Sequence, residues 1–203
     1  MWDYLKTSKK PIVLYGMGNA ALRIIDELSK RDIPVAGIFA SDGFVRGHEF
    51  SGHKVMTYSD AKKQFGDMIV LLCFGSHLPD VIDNIKRIAS EQELYAPDLP
   101  VTGEGLFTRE YAEKHKDDLS WLSGILADDK SKEVLSNLLT YRQSGVIDYL
   151  FKAESPDEEN FKLLGLNDNE VYMDLGAYTG DTVLEFCSMT NGFKKIYAVE
   201  PEE

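Results

Sequence analysis

Apolar residues in the first hundred positions form short continuous runs that alternate with helical spacings. The runs Ile12–Tyr15, Pro34–Phe39 and Asp67–Phe74 are too short for buried helices and are typical of parallel strands that helices cover on both faces. Between the first two runs, apolar residues recur from Ala21 at i, i+3, i+4 and i+7, which predicts a helix. Leu94–Ala96 is predicted as a fourth strand, at an edge. This alternation predicts an α/β fold with a parallel sheet.

The pattern changes in the middle of the chain. From about Leu106 to Leu150 helical spacing dominates, and the candidate N-caps are Asp128, Asp129 and Ser131. The stretch Ala153–Asn160 is polar, charged and interrupted by proline, so it is predicted to be a linker or an exposed loop. The middle therefore separates two regions of strand-and-helix alternation.

A glycine turn joins the first predicted strand to its helix. Gly16-Met17-Gly18-Asn19-Ala20-Ala21 fits the pattern G-x-G-x-x-A, whose glycines let the backbone approach a pyrophosphate at a helix N-terminus. Asp42 is the nearest acid to the end of the second strand, where a dinucleotide site needs one, and His77 follows the third strand. The turn is interpreted as an NAD site, a site for another nucleotide-bearing ligand, or a packing feature. The last is favoured, because a lone motif has little specificity.

A second glycine turn lies near the end of the sequence. The strand Val171–Leu175 contains Asp174 and leads into Gly176-Ala177-Tyr178-Thr179-Gly180, and Asp181 and Thr182 are candidate caps of the next helix. Asp174 can order the turn or accept a hydrogen bond from an amino group. Glu200 follows the second strand and is placed to accept ribose hydroxyls. The turn lacks the phosphate-cradling pattern G-x-G-x-x-G, which favours a ligand without phosphate.

These two segments resemble the opening of S-adenosylmethionine-dependent methyltransferases of the FkbM family. That family combines an acid–apolar–Gly-Ala turn, a Gly-Asp-Thr helix start and a Glu-Pro after the second strand, as Asp174–Thr182 and Glu200-Pro201 do here. The helical region from Leu126 to Arg142 also resembles the segment before the catalytic domain in longer members, which place a Rossmann-like module in front. The resemblance implies O-methylation of a sugar or secondary-metabolite hydroxyl on a small-molecule acceptor. It implies S-adenosylmethionine as cofactor, bound by Asp174, Gly176, Ala177, Tyr178, Gly180, Asp181, Thr182 and Glu200.

The two turns predict two Rossmann-like modules with a helical region between them. We predict a Rossmann-like module over residues 1–103, a helical connector over 104–163 and the first β–α–β of a methyltransferase domain over 164–203. A complete sheet of this type needs about six strands, so the last part is expected to be truncated and inactive alone. It is expected to dock on the preceding helices, to form a homo-oligomer, or to be a fragment. No catalytic residue is predicted, because acceptor-binding and base residues normally come from later strands.

The alternative function is a nucleotide- or nucleotide-sugar-binding regulatory module at the first turn, without catalysis. Its candidate residues are Gly16, Gly18, Asn19, Asp42 and His77. A screen of nucleotides, coenzyme A and nucleotide sugars distinguishes it from the methyltransferase hypothesis.

Charge and composition argue against several classes of function for this chain. The net charge is −12 over 203 residues, without a basic stripe, so nucleic acid is not an expected partner. No apolar run reaches the length of a membrane span, and the amino terminus lacks a signal-peptide pattern. His48 and His53 lie in a segment predicted to be an exposed loop, with too few ligands for a metal site. Cys73 and Cys187 are predicted to be buried, unpaired thiols, and the expected compartment is the cytoplasm.

Overall fold

The computed structural model describes residues 1–100 and 105–201 and divides the chain into two compact units, Met1–Ala153 and Glu154–Glu203. The first unit opens with the alternation of strands and helices predicted from the sequence. Its elements over the first hundred residues are α1 Trp2–Thr7, β1 Ile12–Tyr15, α2 Asn19–Ser29, β2 Gly37–Phe39, a 3₁₀ turn Asp42–Phe44, β3 Glu49–Phe50, β4 His53–Met56, α3 Tyr58–Phe65, β5 Ile69–Leu72, α4 Pro79–Glu91 and β6 Glu93–Tyr95.

These strands form one six-stranded sheet in the order β3-β4-β2-β1-β5-β6, with every neighbouring pair parallel except β3 and β4. The strand order reverses between β1 and β5, which is where ligands bind in open sheets of this kind. The α/β prediction is confirmed, and β6 lies at an edge as expected.

Alternate residues of the central strands face two apolar layers. Leu14 packs in a layer with Ile24 and Leu28 of α2. Val13 packs in the opposite layer with Ile85 and Ile88 of α4. All four residues of β1 and of β5 are buried, as expected for strands covered on both faces.

The segment predicted as a loop around the two histidines is a short hairpin, so that prediction is wrong. Ser51 and Gly52 both have positive φ, 49° and 79°, as a tight type I′ turn requires. Val55 of β4 is buried, and β4 pairs in parallel with β2. The strands are only two and four residues long, and half of their residues are polar, so no alternation was visible in the sequence. In the described residues, no group of His, Cys, Asp or Glu side chains is arranged to hold a metal ion.

The helical middle of the chain belongs mostly to the first unit. It contains helices α5 Arg109–Lys114, α6 Lys116–Ile125, α7 Asp129–Ser144 and α8 Asp148–Ala153. Asp128 caps α7 by accepting a hydrogen bond of 2.7 Å from the Ser131 N–H, as predicted. Ile147 is buried in the core layer of α4, and the Ala96 N–H donates to the Gly145 carbonyl at 2.7 Å. These contacts attach the predicted connector to the six-stranded sheet.

The second unit contains helix α9 Asp157–Leu164, strand β7 Val171–Leu175, helix α10 Asp181–Met189 and strand β8 Lys195–Val199. The two strands pair in parallel over their whole length. Because α9 begins at Asp157, the predicted linker is shorter than expected.

Helix α10 covers one face of this two-stranded sheet. The ring of Phe186 is buried and stacks on Tyr172 with 4.3 Å between centroids. Leu184 and Cys187 are exposed, although Cys187 was predicted to be buried. That prediction is wrong because two strands, about 5 Å apart, offer room for one narrow stripe of a helix. No helix in the described ranges is both long and apolar enough to cross a membrane.

The two thiols are expected to differ in reactivity. Burial raises the pKa of the Cys73 thiol to about 12, whereas Cys187 is exposed. Because the thiolate is the reactive form, Cys187 is expected to react with a disulfide reagent in mildly alkaline buffer, and Cys73 only after unfolding. Absorbance titration should count one thiol before denaturant and both afterwards, and none before denaturant in Cys187→Ser. Equal reaction rates for the two thiols contradict the buried position of Cys73.

Candidate functional site

The two glycine turns occupy equivalent places at the ends of their sheets. In the first unit, Tyr15 pairs with Phe39, and the Gly16 N–H donates to the Phe39 carbonyl at 2.9 Å. In the second unit, Leu175 pairs with Val199, and the next residue again donates its N–H to the carbonyl of the paired strand, at 2.7 Å. The shared register makes Gly16 equivalent to Gly176. By the same register, Ala40, which follows β2, is equivalent to Glu200, which follows β8.

This register gives the two sites different side chains. Ala40, which is buried, stands at the position that Glu200 holds in the second unit. Leu14 stands at the position of Asp174. Asp42, the candidate ribose acid of the first turn, lies two residues beyond Ala40 in the 3₁₀ turn. The first turn therefore has no carboxylate at either of the equivalent positions.

Side chains of the first unit fill the edge where its strand order reverses. A Cβ at Gly16 would lie 2.6 Å from Cδ1 of Phe74, a residue that the sequence did not single out. The Tyr15 ring packs edge-on against Phe74, and its hydroxyl is hydrogen-bonded to Ser41 and Asn84, both at 2.9 Å. Packing against Phe74 is thus sufficient to explain the glycine at position 16.

The remaining candidates of the first turn lie at the same edge of the sheet. Gly18 has a φ of 103°, and nothing lies within 4 Å of a Cβ placed there. Asn19 begins α2, and His77 is exposed after β5. A ligand at Gly16, Gly18, Asn19, Asp42 and His77 stays a prediction.

The second turn is held against the end of β8 by its own backbone. The Ala177 N–H donates to the Val199 carbonyl at 3.0 Å, and the Tyr178 N–H donates to Oε2 of Glu200 at 2.6 Å. Gly176 and Gly180 have φ of 92° and 81°, which favour glycine, and a Cβ at either would meet nothing within 4 Å. The turn therefore leaves open space beside its backbone and holds the Glu200 carboxylate next to it.

Tyr178 has an unusual backbone conformation. Its φ is 40°, a left-handed value that is rare for a bulky residue, and the residue is 83% exposed. Strained residues of this kind cluster at ligand sites, where the surrounding structure maintains them. The backbone N–H of Tyr178 in this conformation donates a hydrogen bond to the Glu200 carboxylate.

The start of helix α10 differs from the capping prediction. The N-cap is Gly180, and neither Asp181 nor Thr182 caps the helix. The Thr182 hydroxyl instead donates to Oδ2 of Asp174. Asp181 lies in the first helical turn, where the helix dipole favours a negative charge.

The charges around the second turn are negative. Asp174, Asp181 and Glu200 surround it, whereas Lys194 and Lys195 lie at the opposite end of β8. Carboxylates accept hydrogen bonds from hydroxyl and ammonium groups and repel phosphates. The arrangement can therefore bind a hydroxyl-bearing, cationic ligand and disfavours a phosphorylated one.

Comparison with known proteins points to one solved structure. No protein-family model matches the chain, and no curated protein matches its sequence. The crystal structure of the methyltransferase FkbM from Methylobacillus flagellatus KT is similar, with a TM-score of 0.57 and 18% sequence identity. The similarity covers 96% of this chain and 56% of that protein, so the chain spans little more than half of its length. The chain therefore has an FkbM-like methyltransferase fold.

Proposed function

We propose that the second glycine turn binds S-adenosylmethionine. We further propose that the protein functions in methylation of a hydroxyl of a sugar or secondary metabolite. The observation that carries the proposal is the pair of carboxylates, Asp174 and Glu200, on adjacent parallel strand ends beside an open glycine turn. The FkbM-like fold supports it.

The residues of the turn fit this cofactor in three respects. Glu200 lies where a carboxylate accepts hydrogen bonds from ribose hydroxyls, and the Tyr178 amide orients it. Asp174 offers a carboxylate to the amino group of the methionine part. The surrounding negative charge suits a sulfonium cation without phosphate.

The cofactor supplies an electrophilic methyl group when bound. The described residues hold and orient it, since methyl transfer depends largely on in-line positioning of the acceptor oxygen. We assign no base and no acceptor-binding residue to this chain. The proposal places the protein in the cytoplasm, since unpaired cysteines persist in reducing compartments.

Titration calorimetry tests the proposal. The 203-residue chain is expected to bind S-adenosylmethionine at one site and to give no heat with NAD or ATP, because their phosphates meet Asp174, Asp181 and Glu200. The double variant Asp174→Ala/Glu200→Ala is expected to lose binding. Asp168→Ala, which removes an acid before β7 at the opposite end of the strands, is the matched control and should bind normally. Absence of heat with S-adenosylmethionine, or unchanged affinity in the double variant, contradicts the proposal.

A further inference from the structure

The Thr182 hydroxyl connects helix α10 to strand β7 at the candidate site. A threonine at the start of a helix commonly caps the helix through its hydroxyl. Here the N-cap position belongs to Gly180, and the Thr182 hydroxyl donates to Oδ2 of Asp174. The bond therefore joins two residues of the candidate site, eight positions apart in the sequence.

This bond orients one oxygen of the Asp174 carboxylate. Asp174 is half-buried, on the face of the sheet that α10 covers. Across residues 1–100 and 105–201, Thr182 is the one hydrogen-bond partner of this carboxylate and contacts Oδ2, so Oδ1 remains available to a ligand. The χ1 of a helical threonine divides between two rotamers, and the hydrogen bond to Asp174 selects the one observed here. The helix thereby limits the directions in which Oδ1 can point.

We propose that Thr182 is a positioning residue, which acts through Asp174 to aim Oδ1 at the amino group of the methionine part of the cofactor. The inference rests on the proposed function and assigns Thr182 a role that differs from direct cofactor contact. Thr182 orients the acceptor of an ammonium group, whereas Glu200 serves the ribose. Substitutions that act through Asp174 should therefore affect only ligands with an amino group, whereas substitutions of Glu200 should affect every ligand with a ribose.

Three ligands separate this role from a structural one. S-adenosylmethionine and S-adenosylhomocysteine carry the amino group, whereas methylthioadenosine has the adenosine and a thioether but no amino-acid part. Thr182→Val keeps the shape of the side chain and removes the donor. It is expected to weaken the first two ligands by roughly 5- to 10-fold, the scale of a typical net hydrogen-bond contribution, because the Asp174 carboxylate stays in place but loses its orientation. Methylthioadenosine is expected to stay within about twofold.

Conservative and double variants complete the experiment, which uses calorimetry on the 203-residue chain. Thr182→Ser retains the hydroxyl and is expected to bind all three ligands within about twofold of the unmodified chain. In an Asp174→Asn background, Thr182→Val is expected to add less than about twofold, because its effect passes through the carboxylate. Thr140→Val, whose hydroxyl donates to the Ser136 carbonyl within α7, controls for the substitution itself. Circular dichroism confirms that each variant is folded.

Each other outcome overturns the inference in a recognisable way. If Thr182→Val weakens all three ligands equally, the residue stabilises the fold and does not position Asp174. If the unmodified chain binds S-adenosylmethionine and Thr182→Val binds it equally well, the positioning role fails while the proposed function stands. If the unmodified chain binds none of the three ligands, the proposed function and this inference fail together.

Discussion

Replacing Glu200 by alanine is expected to weaken S-adenosylmethionine binding by roughly 10- to 100-fold. A hydrogen bond to a charged group contributes about 1.5–3 kcal/mol, and this carboxylate is the one proposed to bind the ribose hydroxyls. The substitution also removes the acceptor of the Tyr178 N–H, which lies 2.6 Å from Oε2. The substitution thus removes a hydrogen bond from the left-handed backbone of Tyr178. Calorimetry measures the change in Kd.

Two further variants make this result specific. Glu200→Gln keeps an oxygen acceptor for the Tyr178 amide and is expected to fall between alanine and the unmodified chain. Asp168→Ala removes one negative charge from the same unit and should leave Kd within about twofold. A Glu200→Ala chain that binds within twofold of the unmodified one shows that this carboxylate does not contact the ligand.

Replacing Gly16 by alanine is expected to lower the free energy of unfolding of the first unit by about 3 kcal/mol. The φ of 110° is unfavourable for any residue with a Cβ, at a cost of about 1–3 kcal/mol. The added methyl also lies 2.6 Å from the Phe74 ring, so a half-buried aromatic side chain must move. Overpacking of this kind costs about 1–3 kcal/mol. Urea unfolding followed by tryptophan fluorescence measures the loss.

Two other glycines separate these contributions. Gly18 has a φ of 103° but open space at the Cβ, so Gly18→Ala carries the backbone cost alone. Gly43 has neither feature, and Gly43→Ala is expected to change stability by less than about 0.5 kcal/mol. Trp2 and Trp121 are the only tryptophans and both belong to the first unit, so fluorescence reports on that unit. Equal stability of Gly16→Ala and Gly43→Ala contradicts the packing explanation of the first turn.

The long apolar segments were predictable from the sequence. Strand β1 begins and ends at the predicted residues, and the stripe that starts at Ala21 is the buried face of α2. Pro79 occupies the first turn of α4, as a proline with no N–H to satisfy can. Continuous burial produces these patterns, because strands covered on both faces must be apolar throughout.

Short or partly covered elements were not predictable in the same way. Strands β3 and β4, of two and four residues, are too short to show a period. The exposure of Cys187 depends on how much sheet lies beneath α10, which the helix's own sequence does not encode. The role of Thr182 depends on Asp174 lying across from it, a tertiary relation that overrides the local capping preference.

The difference between the two glycine turns was partly visible in the sequence. Ala40 and Ser41 separate Asp42 from the second strand, whereas Glu200 directly follows its strand. Strand register places Ala40, not Asp42, opposite the first turn, whereas Glu200 contacts the second turn directly. The motif at Asp174–Thr182 was recognisable because its residue types are constrained by the turn itself.

Amide chemical-shift mapping by NMR distinguishes the two glycine turns, because both are observed in one titration of the 203-residue chain with S-adenosylmethionine. If the second turn binds the cofactor, the largest shifts fall on Gly176–Thr182 and Glu200, and Gly16–Asn19 do not move. Shifts centred on Gly16–Asn19, or none at either turn, contradict cofactor binding at the second turn.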